Sequence, residues 1–450
     1  MSEPSSRPPS PTAATAETAD AATASPGDPG RRAAPRRFLV GKGTSIVVIG
    51  SVALGNASTY GFQLVTGRFL GADAYGLLAG LMTVVAVIGV SASSLGTVAA
   101  KAVSAGEVEP RPAVMDRLTR SSVVVGAALT VALVVASPWL SEFLKVDNVI
   151  PMLFVAASIV PTCLGAIAVG RLQGQMRFIA MSLLSATFAV AKLGVGFATM
   201  AAGLGVTALV AGLVVSTSVC AAGGLYLARH AGAITTKVLD RSTAQVFLGV
   251  TLFWVLVSFD VPFARANFTE SMAGQYAAAD VIGRAVLWLP AVITQITFPQ
   301  VTAAVSNIES TEPLMLRAFA FAAGLAAAGV AFIWLFGEPV FRVLYGSEYP
   351  EAHRYAWKIG LATVPFAIVH LLLHHNFARN HSRFVSVLIG ASIAQMLALT
   401  FGPHTPTAYA TVLGIVASGT AVALLPRGGW RFLSGLIKPG HRARFVTGDE

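Results

Sequence analysis

Phe178–Ala201 reads FIAMSLLSATFAVAKLGVGFATMA, and beyond the glycines Gly203 and Gly205 a second apolar run continues to residue 228. A single charge, Lys192, interrupts the first run. A helix rises 1.5 Å per residue, so about 20 such residues cross a hydrocarbon core about 30 Å thick. Two runs of that length joined at two glycines read as an antiparallel helical pair crossing a membrane, because glycine permits the tight turn.

The same reading extends over most of the 450 residues. Apolar runs at 44–66, 74–98, 121–139, 150–170, 178–201, 204–228, 244–264, 274–298, 314–336, 356–377, 384–401 and 407–425 predict about twelve transmembrane helices, an all-α polytopic membrane protein. A β-barrel would show short strands of alternating polarity, and no such alternation is present. Charged residues make up 12% of the chain and hydrophobic ones 55%, with a mean hydropathy of +0.70. A soluble protein carries about 25% charged residues to keep its surface wet.

Net charge is +10. The basic residues flank apolar runs, which points to topology and anionic lipid headgroups rather than nucleic acid. With the N-terminus inside, 23 of the 31 Lys and Arg lie on cytoplasmic segments, 6 on external loops and 2, Lys192 and Arg284, within spans. That bias predicts both termini in the cytoplasm. Residues 1–42 have no apolar signal-like segment and read as a disordered basic cytoplasmic tail, and 426–450 read as a basic cytoplasmic tail. Cys163 and Cys220 both fall in apolar runs, which excludes a disulfide framework and a cysteine metal site. There is no nucleotide-binding glycine loop, no H-E-x-x-H and no loop long enough for a soluble catalytic domain. A non-enzymatic protein without cofactor or metal is expected.

Charge inside a span costs about 2.5–3.5 kcal/mol at a helix centre, so such residues mark function or internal pairing. Lys192 and Arg284 lie at mid-span and are candidates to hold an anion. Asp280, four residues before Arg284 on the same helix face, is the alternative: a structural partner. Asp260 and Asp280 read as an ion or proton site, or as counter-ions to Arg284 and Arg265, the second being preferred. Asn56, Tyr60 and Gln63 share one face of the first span and are expected to line an interior path. His370 and His374 are spaced for a shared metal, but no carboxylate accompanies them, and interfacial packing is preferred. Pro290 and Pro365 are expected kinks. A faint repeat relates Tyr75 to Tyr276 and Arg177–Phe178 to Arg383–Phe384. It predicts two six-helix halves, 43–240 and 241–425, related by an axis along the membrane normal.

Gly67-Arg68-Phe69-Leu70-Gly71-Ala72-Asp73-Ala74-Tyr75-Gly76 resembles a signature of the polysaccharide (O-antigen-type) flippases of the multidrug/oligosaccharidyl-lipid/polysaccharide exporter superfamily, with Arg68, Gly71, Tyr75 and Gly76 as motif residues. Gly170–Gly174 with Arg177-Phe178, Gly274–Ala279 running to Leu289-Pro290 and Phe298-Pro299, and Val343–Tyr349 agree in order. The resemblance covers about 40–425. It implies two six-helix lobes in a V, working by alternating access. The implied substrate is a polyprenyl-pyrophosphate-linked oligosaccharide, moved from the inner to the outer leaflet of a bacterial cell membrane for surface polysaccharide synthesis. Membrane lipids, and a polysaccharide polymerase or glycosyltransferases, would be its partners. Arg284 occupies a place where the family carries a basic residue. A lipid II flippase and a cation-coupled multidrug exporter, the latter favoured by Asp260 beside Phe253 and Trp254, stay open as alternatives.

Overall fold

Tyr75 and Gln63 are twelve residues apart, which would put them about 18 Å apart along a continuous helix. Yet the Tyr75 hydroxyl lies 3.4 Å from Gln63 Oε1. The helical run α1, Lys42–Ser104, therefore reverses direction within itself. The reversal sits at Gly71, whose φ of 76° and ψ of 170° belong to a region that a side chain makes costly. The loop expected between the first two spans is thus replaced by helix on both sides of one glycine.

The computed structural model describes residues 42–106, 108–109, 115–234, 241–286, 312–378 and 383–424. After α1 come α2 (Arg117–Phe143), α3 (Ile150–Ala157), α4 (Ile159–Gly174), α5 (Phe178–Ala201) and α6 (Val206–Leu227). The second part holds α7 (Arg241–Ser258), α8 (Asp260–Asn267), α9 over 270–286, α10 (Glu312–Leu344), α11 (Ala352–Ala378), α12 (Arg383–Phe401) and α13 (Pro406–Leu424). By length and composition, eight helices qualify as membrane spans among the described residues, or nine with α7 and α8 as one span bent by 42°. The two limbs of α1, with α9 and α11, complete an all-α bundle of twelve passes. Both tails, and Pro290 with the stretch to Pro299, lie outside the described residues.

The fourth expected span is continuous through α3 and α4, since Ser158 between them keeps helical φ and ψ and its hydroxyl bonds the Val155 carbonyl at 2.6 Å. Two expected spans differ in detail. The seventh bends at Phe259, just before Asp260. The ninth runs on to Leu344 instead of ending near 336, so most of the expected loop at 337–355 is helix. At the bend, the Leu256 carbonyl accepts a bond from the buried side chain of Gln395 at 2.9 Å. A freed carbonyl inside a membrane needs such a donor, because no water is there to replace the lost helical bond. Exposed hydroxyls are silenced in the same way: Thr187 donates back to the Leu183 carbonyl at 2.8 Å.

Helices α2–α6 pack on one another, as do α7, α8 and α10–α13. The Gly71 end of the bundle carries the turns at 144–149, 202–205, 268–269, 345–351 and 402–405. At the opposite end, a two-stranded antiparallel ribbon pairs Val108–Glu109 (β1) with Ala233–Ile234 (β2). The sequence reading contains no strand. Beneath the ribbon, Asp116 caps α2 through the Thr119 amide at 2.9 Å and accepts from the Ile234 amide at 2.7 Å. It also pairs with Arg171, at 2.8 Å, and both side chains are essentially fully buried. Arg171, which the charge count places on a cytoplasmic segment, thus ties the end of α4 to the start of α2 and, through Asp116, to β2.

Candidate functional site

The second-half cluster is built by three elements. The break between α7 and α8 places Asp260 at the first position of a new helix, where the helix dipole favours a carboxylate. Tyr276, Asp280 and Arg284 lie on one face of α9 at four-residue spacing. Tyr276 donates to Asp260 Oδ2 at 2.6 Å. Arg284 Nη2 reaches both carboxylates, Asp260 directly and Asp280 at 2.9 Å. Asp260, Asp280 and Tyr276 are buried, and the Arg284 side chain keeps 15% exposure. An aromatic wall of Phe268, Tyr276 and Tyr409 backs the cluster, and Asn267 donates to the Tyr409 hydroxyl at 2.8 Å.

Two expectations about these carboxylates come apart. Both pair with Arg284, but neither holds Arg265. Arg265 bonds Glu270 at 2.7 Å and donates to the carbonyls of Leu144 and Lys145. With both aspartates ionised, the cluster carries one net negative charge, so Arg284 is already engaged by internal carboxylates.

Lys192 has a different setting. On α5 its ammonium lies over the ring of Phe62, 4.3 Å from the centroid. That is a cation–π contact, an attraction weaker than an ion pair in a dry site. Among the described residues no carboxylate lies within ion-pair distance of it. Of the α1 stripe, Tyr60 and Gln63 are half-buried and Asn56 is exposed. Tyr60 and Tyr75 both lie within Coulombic reach of Asp280, which sets this face of α1 toward the charged face of α9.

The motif residues form a contact between distant parts of the chain. Arg68 Nη1 donates to the Val343 carbonyl at 2.8 Å, and Tyr349 donates to the Gly67 carbonyl at 2.6 Å. Tyr75 packs against Tyr345 and Tyr349, with centroids 6.0 and 6.2 Å away. A Cβ at Gly76 would lie 2.8 Å from the Gly274 nitrogen, and one at Gly274 would fall on the Ala72 carbonyl. Small residues allow this backbone approach. His370 packs on Phe253, the described residues contain no metal-ligand cluster, and the side chains of His374 and His375 lie outside those described.

The unforeseen functional candidates are Gln395 and Tyr276. The four-residue spacing from Tyr276 through Asp280 to Arg284 was a readable signal for the second, whereas nothing in the sequence aligns Gln395 with a bend on another helix.

In fold the chain is similar to an inward-facing multidrug resistance MATE family transporter of the MOP superfamily, at 16% identity and a TM-score of 0.62, over 88% of this chain and 100% of that one. It is similar to the lipid II flippase MurJ in an inward closed conformation, at 14% identity and a TM-score of 0.62, over 85% of this chain and 86% of that one. It is also similar to a MOP superfamily transporter from Pyrococcus furiosus, at 15% identity and a TM-score of 0.55, over 87% and 96%. At such identities the likeness is one of fold. No curated protein sequence matches it significantly. A family model described as a polysaccharide biosynthesis protein matches residues 65–354. With that match spanning well over half of it, this multi-pass membrane chain belongs to the polysaccharide biosynthesis protein family.

Proposed function

We propose that the chain is a flippase that moves a polyprenyl-pyrophosphate-linked oligosaccharide from the inner to the outer leaflet of a bacterial cell membrane. Family membership and a transporter fold support this reading. The charge bias of the loops supports cytoplasmic termini, with the Gly71 end facing outward. The observation that carries the substrate class is Lys192, a mid-span cation whose described partner is an aromatic ring rather than a carboxylate. A cation left in that state favours an anionic visitor, since a buried anion needs a paired charge. In this reading Lys192 meets the pyrophosphate first, and the polyprenyl chain stays in the bilayer. Arg284 joins only when its carboxylates release it.

The test is flipping of a fluorescent polyprenyl-pyrophosphate glycan in proteoliposomes. Lys192→Ala should slow it about tenfold or more, the worth of one lost charge-assisted contact, with Lys192→Arg retaining part of the rate. Undiminished flipping by the alanine variant would remove Lys192 from the path. A second reading, a cation-coupled exporter, draws on the net negative charge of Asp260, Asp280 and Arg284. Export of an organic cation driven by an imposed ion gradient, with no flipping of the glycolipid, would favour it.

A further inference from the structure

We infer that Gly67–Gly76 is an outer latch: the segment through which the first six spans grip the last six and close the path at the outward end. The inference rests on the outward placement of the Gly71 end.

Among the described residues, hydrogen bonds that join residues before 240 to residues after it gather at this end. Arg68 donates to the Val343 carbonyl and Tyr349 to the Gly67 carbonyl. On the other flank, Lys145 Nζ donates to the Phe268 carbonyl at 3.0 Å, while Arg265 donates to the carbonyls of Leu144 and Lys145 at 3.1 and 3.2 Å. Those carbonyls are free because α2 has ended there, with Lys145 at a φ of 51°. A cation at a helix C-terminus also meets the negative end of the dipole. Between the two anchors, Gly76 and Gly274 bring the second limb of α1 and α9 into backbone contact. Tyr75, Tyr345 and Tyr349, all buried, fill the space directly above Gln63.

At the opposite end, the described residues show a different pattern. The buried Asp116–Arg171 pair and the β1–β2 ribbon tie segments of the first six spans to one another. The bond from Ser91 to Thr251, at 2.7 Å, crosses farther along the second limb of α1, away from the seam.

Most of the latch bonds end on backbone carbonyls, so they depend on the donor side chains and not on the side chains of the acceptor residues. Opening exposes carbonyls that water satisfies once the seam parts. The closure is therefore reversible: glycine-to-glycine packing and a few hydrogen bonds hold it, with the Arg265–Glu270 pair at its edge.

The test uses a background with Cys163→Ala and Cys220→Ala, and Gln63→Cys as a reporter beneath the tyrosines. Intact cells are treated with a membrane-impermeant maleimide. The reporter should label slowly in the otherwise unchanged chain. Tyr349→Phe and Arg68→Gln should each raise the rate about 2- to 10-fold, the population change from one lost hydrogen bond. Gly274→Ala, whose methyl cannot fit against Ala72, should raise it more, and the milder pair keeps the test decisive if that variant does not fold. Unchanged labelling in Tyr349→Phe and Arg68→Gln, with protein present at normal levels, overturns the latch. Asn148→Cys, exposed at the same end, separates this from the orientation. If it labels while Gln63→Cys is unaffected, the latch alone is wrong. If it fails to label, the outward placement is wrong and the latch falls with it.

Discussion

Replacing Arg171 by Met would leave Asp116 buried without its cation. Breaking a buried ion pair costs about 3–5 kcal/mol, because the surviving charge has lost both water and partner. Asp116 would keep three donors: the Thr119 amide at 2.9 Å, the Thr119 hydroxyl at 2.8 Å and the Ile234 amide at 2.7 Å. The carboxylate stays well solvated by the protein, so the loss should fall near the low end, about 3 kcal/mol. Asp116→Ala is the harsher change. It strands the guanidinium, removes the cap of α2 at about 1 kcal/mol and orphans the Ile234 amide at about 1–3 kcal/mol. Its loss should exceed about 5 kcal/mol, allowing for incomplete additivity. The assay is unfolding in mixed micelles of rising SDS fraction, followed by far-ultraviolet circular dichroism. Asp116→Ala costing no more than Arg171→Met, or both below about 1 kcal/mol, would refute the assignment of the pair as the tie beneath the ribbon.

Other variants separate further roles. Arg284→Met leaves two buried carboxylates beside each other and should destabilise by about 3–5 kcal/mol, part of which Asp260→Asn in the same chain recovers; an additive double variant in the same SDS titration would deny the coupling. Gln395→Leu should cost about 1–3 kcal/mol by orphaning the Leu256 carbonyl, with a wild-type unfolding midpoint counting against a role at the bend. In the 345–351 turn, burial and then the charges of Tyr75, Glu348 and Asp73 push the Tyr349 phenol upward. A group raised in the fold stabilises fully below its ordinary value, near 10, and loses that contribution as pH climbs past it. Labelling of Gln63→Cys, divided at each pH by that of the exposed Asn148→Cys to remove the thiol's own titration, should thus be flat to about pH 9 and rise beyond about pH 10, and a ratio already rising near neutral pH would contradict a buried, neutral Tyr349.

The apolar run length made the membrane fold legible, because a helix must satisfy its backbone internally wherever water is absent. The pairing of Asp280 with Arg284 was legible for a related reason: four-residue spacing fixes neighbours on one helix. Asp260 was read as a counter-ion to Arg284, and its contact depends on the bend at Phe259; Pro262, which has no N–H for the Ser258 carbonyl and crowds it, is a local cause of that bend, but nothing local tells which side chain the bend aims Asp260 at. The burial of Arg171 was not legible because a positive charge beside an apolar run has the same appearance whether it faces headgroups or a carboxylate fifty-five residues earlier. The β1–β2 ribbon was invisible for want of length, since two-residue strands carry no alternation to detect.

The repeat that relates Tyr75 to Tyr276 gains its meaning from how differently the two are used. Each follows a turn at the Gly71 end and begins a span. Tyr75 packs into the tyrosine seam, while Tyr276 bonds Asp260 and supports the charged cluster. The glycines beside them, Gly76 and Gly274, touch, so the two equivalent helices meet where they enter the bilayer. Gly274 and Arg284 ride on one helix, about 15 Å apart along its axis. Asp260 lies on α8, across the turn at 268–269. A swing of the last six spans as one body parts Gly274 from Gly76 and leaves Arg284 on Asp260, whereas a shift of α9 against α8 moves Arg284 and Asp280 relative to Asp260. Under the proposed function, only the second motion would couple the outer closure to the release of Arg284.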